Sequence, residues 1–224
     1  MYYEKYEAEF QNSDLSKKYP KHILSNLKEY IKEELCNGYE YINPYKFALD
    51  YGLTDEESLQ LFLFLTDDDK LFKVEPFVDC PICTGKRLSL LPENHIDENV
   101  IYCDDCNKEY QLSNMKNSLY FYFRLNKLLI VSQDERISED FDPHSSFEIW
   151  KRLNGNLKGK SPSSSAAKLS DNFSNDEGDK KQVPGVTLEE LVKNNSDNKG
   201  KQISDSTHEL TNNLMDLMSM DEAI

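Results

Sequence analysis

The residues best equipped for chemistry in this 224-residue chain are Cys80-Pro81-Ile82-Cys83 and Cys103-Asp104-Asp105-Cys106. Their spacing, C-x2-C-x19-C-x2-C, is that of a four-thiolate metal site. Each C-x-x-C turn brings two sulfurs to one point, and two such turns supply a tetrahedron. The ion expected is Zn²⁺, one per chain, and four thiolates leave it no open position, so its role is structural. The amides of Thr84, Gly85, Asn107 and Lys108 are placed to support the thiolates, and Gly85 permits a tight turn. Two other chemistries share the pattern. A Cys-Pro-x-Cys pair can exchange electrons, but no βαβ pattern surrounds this one. Two disulfides need an oxidising compartment, and the opening MYYEKYEAEF has neither the basic region nor the apolar region of a secretory signal. His95, between the pairs, reads as loop surface, and Cys36 as a buried or half-buried thiol near a helix end.

The elements that must position the thiols are strands over 87–91 and 100–102, with 109–112 continuing the pairing and Tyr110 and Leu112 sharing a face. On these residues the segment 77–112 resembles the zinc-ribbon family. Ribbons sometimes touch nucleic acid through basic strand residues. Here Lys86, Arg87, Lys108, Lys116, Arg124 and Lys127 face six carboxylates within 80–131, and Tyr102 or Tyr110 offers a ring for stacking. At zero net charge, solvated surface is the preferred reading.

Upstream, Ile23, Leu24, Leu27, Tyr30, Ile31 and Leu35 recur at helical spacing over 20–36, and Gly38 follows as a stop signal. Residues 39–42 form an extended link. Asn43 and Pro44 open a second helix to residue 51, ended by Gly52, and Thr54 with Glu57 caps a third over 55–66. Asp67, Asp68 and Asp69 turn the chain in solvent before a strand at 71–78. This order, carried by NPYKFALDYGLTDEESLQLFLFLTDDDKLFKVE, resembles a winged helix-turn-helix. The resemblance implies that the third helix reads a DNA major groove, with Asp55, Glu56, Glu57, Ser58 and Gln60 facing outward. Charge opposes that role: no Lys or Arg occurs from 48 through 69, and residues 1–79 hold 9 basic against 17 acidic side chains. A packing or protein-docking module is the preferred reading.

From Met115 to Val131 the chain is at its most apolar. SLYFYFRL alternates like a strand, but a helix is expected, capped by Ser113 or Asn114, with Leu119, Tyr122, Leu125 (or Asn126) and Leu129 facing the core. Phe141, Phe147, Ile149 and Trp150 are expected to pack a last irregular segment. Beyond Leu153 the only aromatic residue is Phe173, and 154–185 is rich in Ser, Asn, Asp, Lys and Gly, so it is expected to be a disordered linker. Two amphipathic islands follow, near 186–195 with Leu188, Leu191 and Val192, and near 208–224 with Leu210, Leu214, Met215, Leu217 and Met218. Thr187 and Glu190 form a cap for the first. These residues are the expected partner-binding set, engaging a groove of another protein or folding back onto their own domain.

The expected fold class is therefore α+β: a winged-helix-like module at 1–79, a zinc ribbon at 80–112, a closing helix and aromatic segment at 113–153, and a largely disordered tail at 154–224. The formal net charge is −15, and 16 basic against 29 acidic residues place the anionic excess in 1–150. No phosphate loop, H-E-x-x-H or nucleophile elbow occurs, and the four His occupy no catalytic spacing. The longest apolar runs are too short for a bilayer. The function expected is a non-catalytic, cytoplasmic adaptor or accessory subunit that binds one or more proteins. The alternative is a nucleic-acid-binding regulator, antitoxin-like or transcription-factor-like, with a partner-binding tail.

Overall fold

A computed structural model describes residues 2–83, 86–90, 100–126, 185–197 and 199–219. Helix α1 (Tyr2–Asn12) and a 3-10 turn (Asp14–Lys18) lead into α2 (Ile23–Cys36), whose Ile23, Leu27, Tyr30 and Ile31 are buried at successive helical turns. The short strand β1 (Tyr41–Ile42) precedes α3 (Pro44–Tyr51). The Asn43 side chain accepts the Tyr45 and Lys46 amides at 2.8 and 3.2 Å, satisfying donors that a helix start leaves open. Gly52 closes α3 in the left-handed region at φ 69°. Thr54 and Glu57 then form a reciprocal cap on α4 (Asp55–Phe64).

Strand β2 (Phe72–Asp79) pairs antiparallel with β6 (Leu119–Leu125) through seven residue pairs, from Phe72↔Leu125 to Val78↔Leu119. Between them lie β3 (Arg87–Ser89), which pairs with β2, and a separate hairpin of β4 (Val100–Cys103) and β5 (Lys108–Gln111), followed by a 3-10 turn (Leu112–Ser118). The larger sheet runs β1-β6-β2-β3, with β7 (Val186–Thr187) also on β6. Its helix-facing side carries Phe72, Phe121 and Phe123, all fully buried. Phe62 of α4 stacks on Phe72 at 4.8 Å and meets Phe123 edge-on at 5.4 Å. The mixed architecture agrees with the α+β expectation.

Over residues 115–126, the described part of the expected 115–131 helix, the chain instead makes a 3-10 turn and then strand β6. Alternation of period two prevails, with Leu119, Phe121, Phe123 and Leu125 in the main core. Tyr122 turns to the opposite face, against Tyr41 and Phe77. Because β6 is an interior strand, both of its faces are largely buried, and a run apolar on both sides imitates a buried helix. Leu129 lies outside the described residues, as do Phe141, Phe147, Ile149, Trp150 and positions 154–184 of the expected linker.

A second correction concerns α4. Ser58 and Gln60, expected to face outward, are buried; the Ser58 hydroxyl donates to the Pro44 carbonyl at 2.6 Å, and Gln60 accepts from Lys18 Nζ at 3.1 Å. Asp55 and Glu56 remain exposed. Nor is Asp67 merely a solvated turn residue. Its carboxylate pairs with Lys70 at 2.7 Å and accepts the Ser204 and Ser206 hydroxyls at 3.2 and 3.1 Å and the Ser206 amide at 3.3 Å.

Those serines lie in the C-terminal region, where the sequence predicts helices near 186–195 and 208–224. The chain there forms β7, α5 (Leu188–Asn194) and α6 (Asp205–Ser219), which pack onto the domain, the second of the two expected arrangements. Gly185 passes so close to β6 that an added Cβ would sit 2.6 Å from the Tyr122 ring, leaving room only for glycine. Asn195 holds the connection between the helices, donating to the Ser204 carbonyl at 2.8 Å and accepting its amide at 2.9 Å. Helix α5 lies on α4 and β6, whereas α6 lies on the 3-10 turn Leu112–Ser118. The physical cause is apolar burial: Val186, Leu191, Leu214 and Met218 complete a core that the preceding residues leave open. Leu191→Ala should therefore lower stability by about 2–5 kcal/mol in urea unfolding, whereas Val192→Ala, at a site 44% exposed, should change it by less than about 0.5 kcal/mol.

Candidate metal centre

The two knuckles stand at the ends of the short strands. Cys80 follows β2 and Cys103 ends β4, so each hairpin delivers one C-x-x-C pair. In the first, the Cys80 amide donates to the Lys86 carbonyl at 2.9 Å and the Lys86 amide to the Cys83 carbonyl at 3.1 Å, closing the turn. In the second, Asn107 adopts φ 54°, a conformation asparagine tolerates, and this sends β5 back along β4. Lys86 links the knuckles, its ammonium 3.0 Å from both the Asp104 and Asp105 carboxylates. Those bonds raise the Lys86 pKa and lower that of Asp104.

All four sulfurs, of Cys80, Cys83, Cys103 and Cys106, lie within 4.8 Å of one another. The Cys80–Cys106 and Cys83–Cys103 separations are 3.8 and 3.9 Å, across the knuckles rather than within them. These are far from the roughly 2.05 Å of a disulfide. A tetrahedron with metal–sulfur bonds of about 2.3 Å has sulfur–sulfur edges of about 3.8 Å. The cage thus has the dimensions to hold a metal ion such as zinc and is compatible with a zinc-ribbon-like site.

The sulfurs differ electrostatically. Burial raises the Cys80 thiol pKa, but the amides of Cys83 and Ile82 act the other way, and it comes to about 6. Burial and the adjoining thiols push Cys83 up to about 12. At Cys103 the Cys106 amide acts downward, yet burial and the neighbouring thiols carry the balance upward. Cys80 therefore ionises more readily than Cys83 and Cys103, and a dication among the sulfurs would favour the ionised form.

Thr84, Gly85 and His95 lie outside the described residues. Cys36 is exposed rather than half-buried and stands apart from the cage. Among the described residues, this cluster is the one group of His, Cys, Asp and Glu side chains close enough to share an ion.

The proposed basic patch is largely spent on ion pairs. Arg87 reaches Asp79 at 3.2 Å and lies over the Tyr122 ring at 4.9 Å, Arg124 reaches Glu75 at 2.8 Å, and Lys86 is held by Asp104 and Asp105. Lys127 lies outside the described residues. Of the expected partner-binding residues, Leu191, Leu214 and Met218 are buried against the domain, Leu188, Leu210 and Leu217 are half-buried, and Val192 and Met215 are exposed. Sequence reasoning missed the Lys86 latch and the hydroxyl of Tyr110 beside the sulfurs. The tyrosine four residues after the last cysteine was the available signal.

No helix among the described residues is long and apolar enough to cross a membrane. Compared with protein-family models, curated proteins and solved structures, the chain matches none. Replacement of the fully buried Cys103 by Ser should abolish metal retention and cost several kcal/mol of stability. Metal analysis of the purified protein and calorimetric unfolding with and without chelator check both outcomes.

Proposed function

We propose that this protein is a non-catalytic, zinc-binding adaptor or accessory subunit that docks other proteins and acts in the cytoplasm. The cage takes one structural Zn²⁺, because four thiolates fill its coordination shell and leave no site for substrate or water. The head is a winged-helix-like module whose last hairpin, β2 and β6, carries the ribbon between its strands.

The observation that carries this reading is the state of α4. It opens with Asp55, Glu56 and Glu57, and the residues after them are buried in the core beside α5. A helix so placed presents carboxylates to a polyanion and has no free face to lay in a groove. The formal charge of −15 adds to that repulsion. Protein docking instead uses exposed apolar side chains, and Leu49, Ile82, Tyr102, Val192 and Met215 are the candidates for such contacts.

The test pairs binding with folding. The zinc-loaded chain should flow through heparin at physiological salt and leave duplex DNA unshifted. Val192→Asp with Met215→Asp should keep the melting temperature within a few degrees while reducing recovery of co-purifying proteins by more than tenfold. Salt-sensitive retention of the wild type on heparin together with a DNA shift would overturn the adaptor reading in favour of a nucleic-acid regulator.

A further inference from the structure

The four sulfurs do not share the same surroundings. A dication held by four thiolates leaves the cage with two negative charges, and Cys80 and Cys103 are too buried for water to spread them. Hydrogen-bond donors must offset that charge. Cys80 receives amides from its own knuckle, Cys83 at 3.4 Å and Ile82, and Cys103 likewise receives those of Cys106 and Asp105. These are the first cysteines of their pairs, where the chain turns its N–H groups back toward the sulfur. Cys106 is the second cysteine of its pair. Its close polar neighbour is a side chain: the Tyr110 hydroxyl lies 3.3 Å from its sulfur and 3.6 Å from that of Cys80.

This placement follows from local structure. Asn107, at positive φ, reverses the chain directly after Cys106, and β5 then pairs Lys108 with Cys103 and Tyr110 with Ile101. Alternation along β5 leaves Glu109 and Gln111 exposed and turns Tyr110 inward, half-buried against the core. The hydroxyl has one proton, and the Cys106 sulfur is the nearer acceptor. Four sulfurs already complete a tetrahedron, so the phenol oxygen stands outside the ligand set as a donor to it.

We infer that Tyr110 is a positioning residue of the metal centre, its hydroxyl donating to the Cys106 thiolate and governing how firmly the cage holds its ion. This rests on the zinc reading above and deepens it. A hydrogen bond draws electron density from a thiolate and shields it from competing reagents, so loss of the hydroxyl exposes the metal to chelators. Tyr102 provides an internal contrast. It lies on β4 beside the same knuckle, but it is 55% exposed and its hydroxyl donates to Asn107 Oδ1 at 2.7 Å instead of to sulfur.

The experiment compares full-length wild type, Tyr110→Phe and Tyr102→Phe, each loaded with zinc and, separately, with Co²⁺. Phenylalanine keeps the ring in the core and removes only the oxygen. All three should carry one zinc per chain. Tyr110→Phe should transfer zinc to a colorimetric chelator about tenfold faster than wild type. The sulfur-to-cobalt charge-transfer band should also move to longer wavelength, a signature that a purely packing role leaves in place. Tyr102→Phe should match wild type in every readout. Metal-loaded Tyr110→Phe with wild-type release and spectrum overturns the inference alone, as does an equal shift in Tyr102→Phe. A wild-type chain that takes up no metal overturns the zinc reading and the inference with it.

Discussion

Seven residue pairs between β2 and β6 hold the molecule in register, and the chain joining those strands runs through both cysteine knuckles. The ladder and the cage are therefore mechanically linked. Val78, paired with Leu119, stands two residues before Cys80. A ladder closed over such a long connection must overcome the entropy of the loop. The large aromatic core on one face of the ladder opposes that cost, and an ion joining the two hairpins would shorten the effective loop. The β4–β5 hairpin belongs to a sheet of its own, and two isolated strands are marginal in water, so an ion shared by the four sulfurs would add a cross-link where packing is thin.

The C-terminal unit solves a different problem. Strand β6 pairs with β1 at Ile42 and Tyr41, and β7 takes up the adjacent stretch at Tyr120 and Phe121. That covers backbone groups a bare edge would present to other chains. Helix α5 seals α4, α6 seals the 3-10 turn that follows β5, and the Asp67 carboxylate receives the start of α6 as a capping residue would. The helical part and the cysteine-bearing hairpins are thereby held by one stretch from far along the chain. The amphipathic residues of this unit range from buried to exposed, with Leu188, Leu210 and Leu217 between. Leu191, Leu214 and Met218 hold the unit in place, and Val192 and Met215 remain on the outside.

Charge is organised on the same plan. Buried carboxylates are compensated, Glu34 by Lys46 at 3.0 Å and Glu75 by Arg124 at 2.8 Å with the Tyr41 hydroxyl at 2.8 Å. Cations drawn into these pairs are no longer available to phosphate, whereas Asp55 and Glu56 stay in solvent. Pairing of this kind leaves acidic side chains as the unneutralised charge at the start of α4, the feature on which the proposed adaptor role rests.

The sequence alone determined what depends on neighbours along the chain. The caps at Asn43, Thr54 and Thr187, the turn at Gly52 and the C-x-x-C knuckles are short-range devices whose hydrogen bonds close within a few residues. Four cysteines at this spacing allow few arrangements but a shared cage, so the candidate site was legible as well. Tertiary structure decided what depends on being covered. The run from Leu119 to Leu125 became a strand because partners flank it on both sides, Ser58 and Gln60 turned inward once other elements covered α4, and residues 186–219 folded because the core offered them a place. The Tyr110 hydroxyl beside two sulfurs has the same origin, since a side chain's partner across a turn is chosen by strand register and no pattern of residue types encodes that distance by itself.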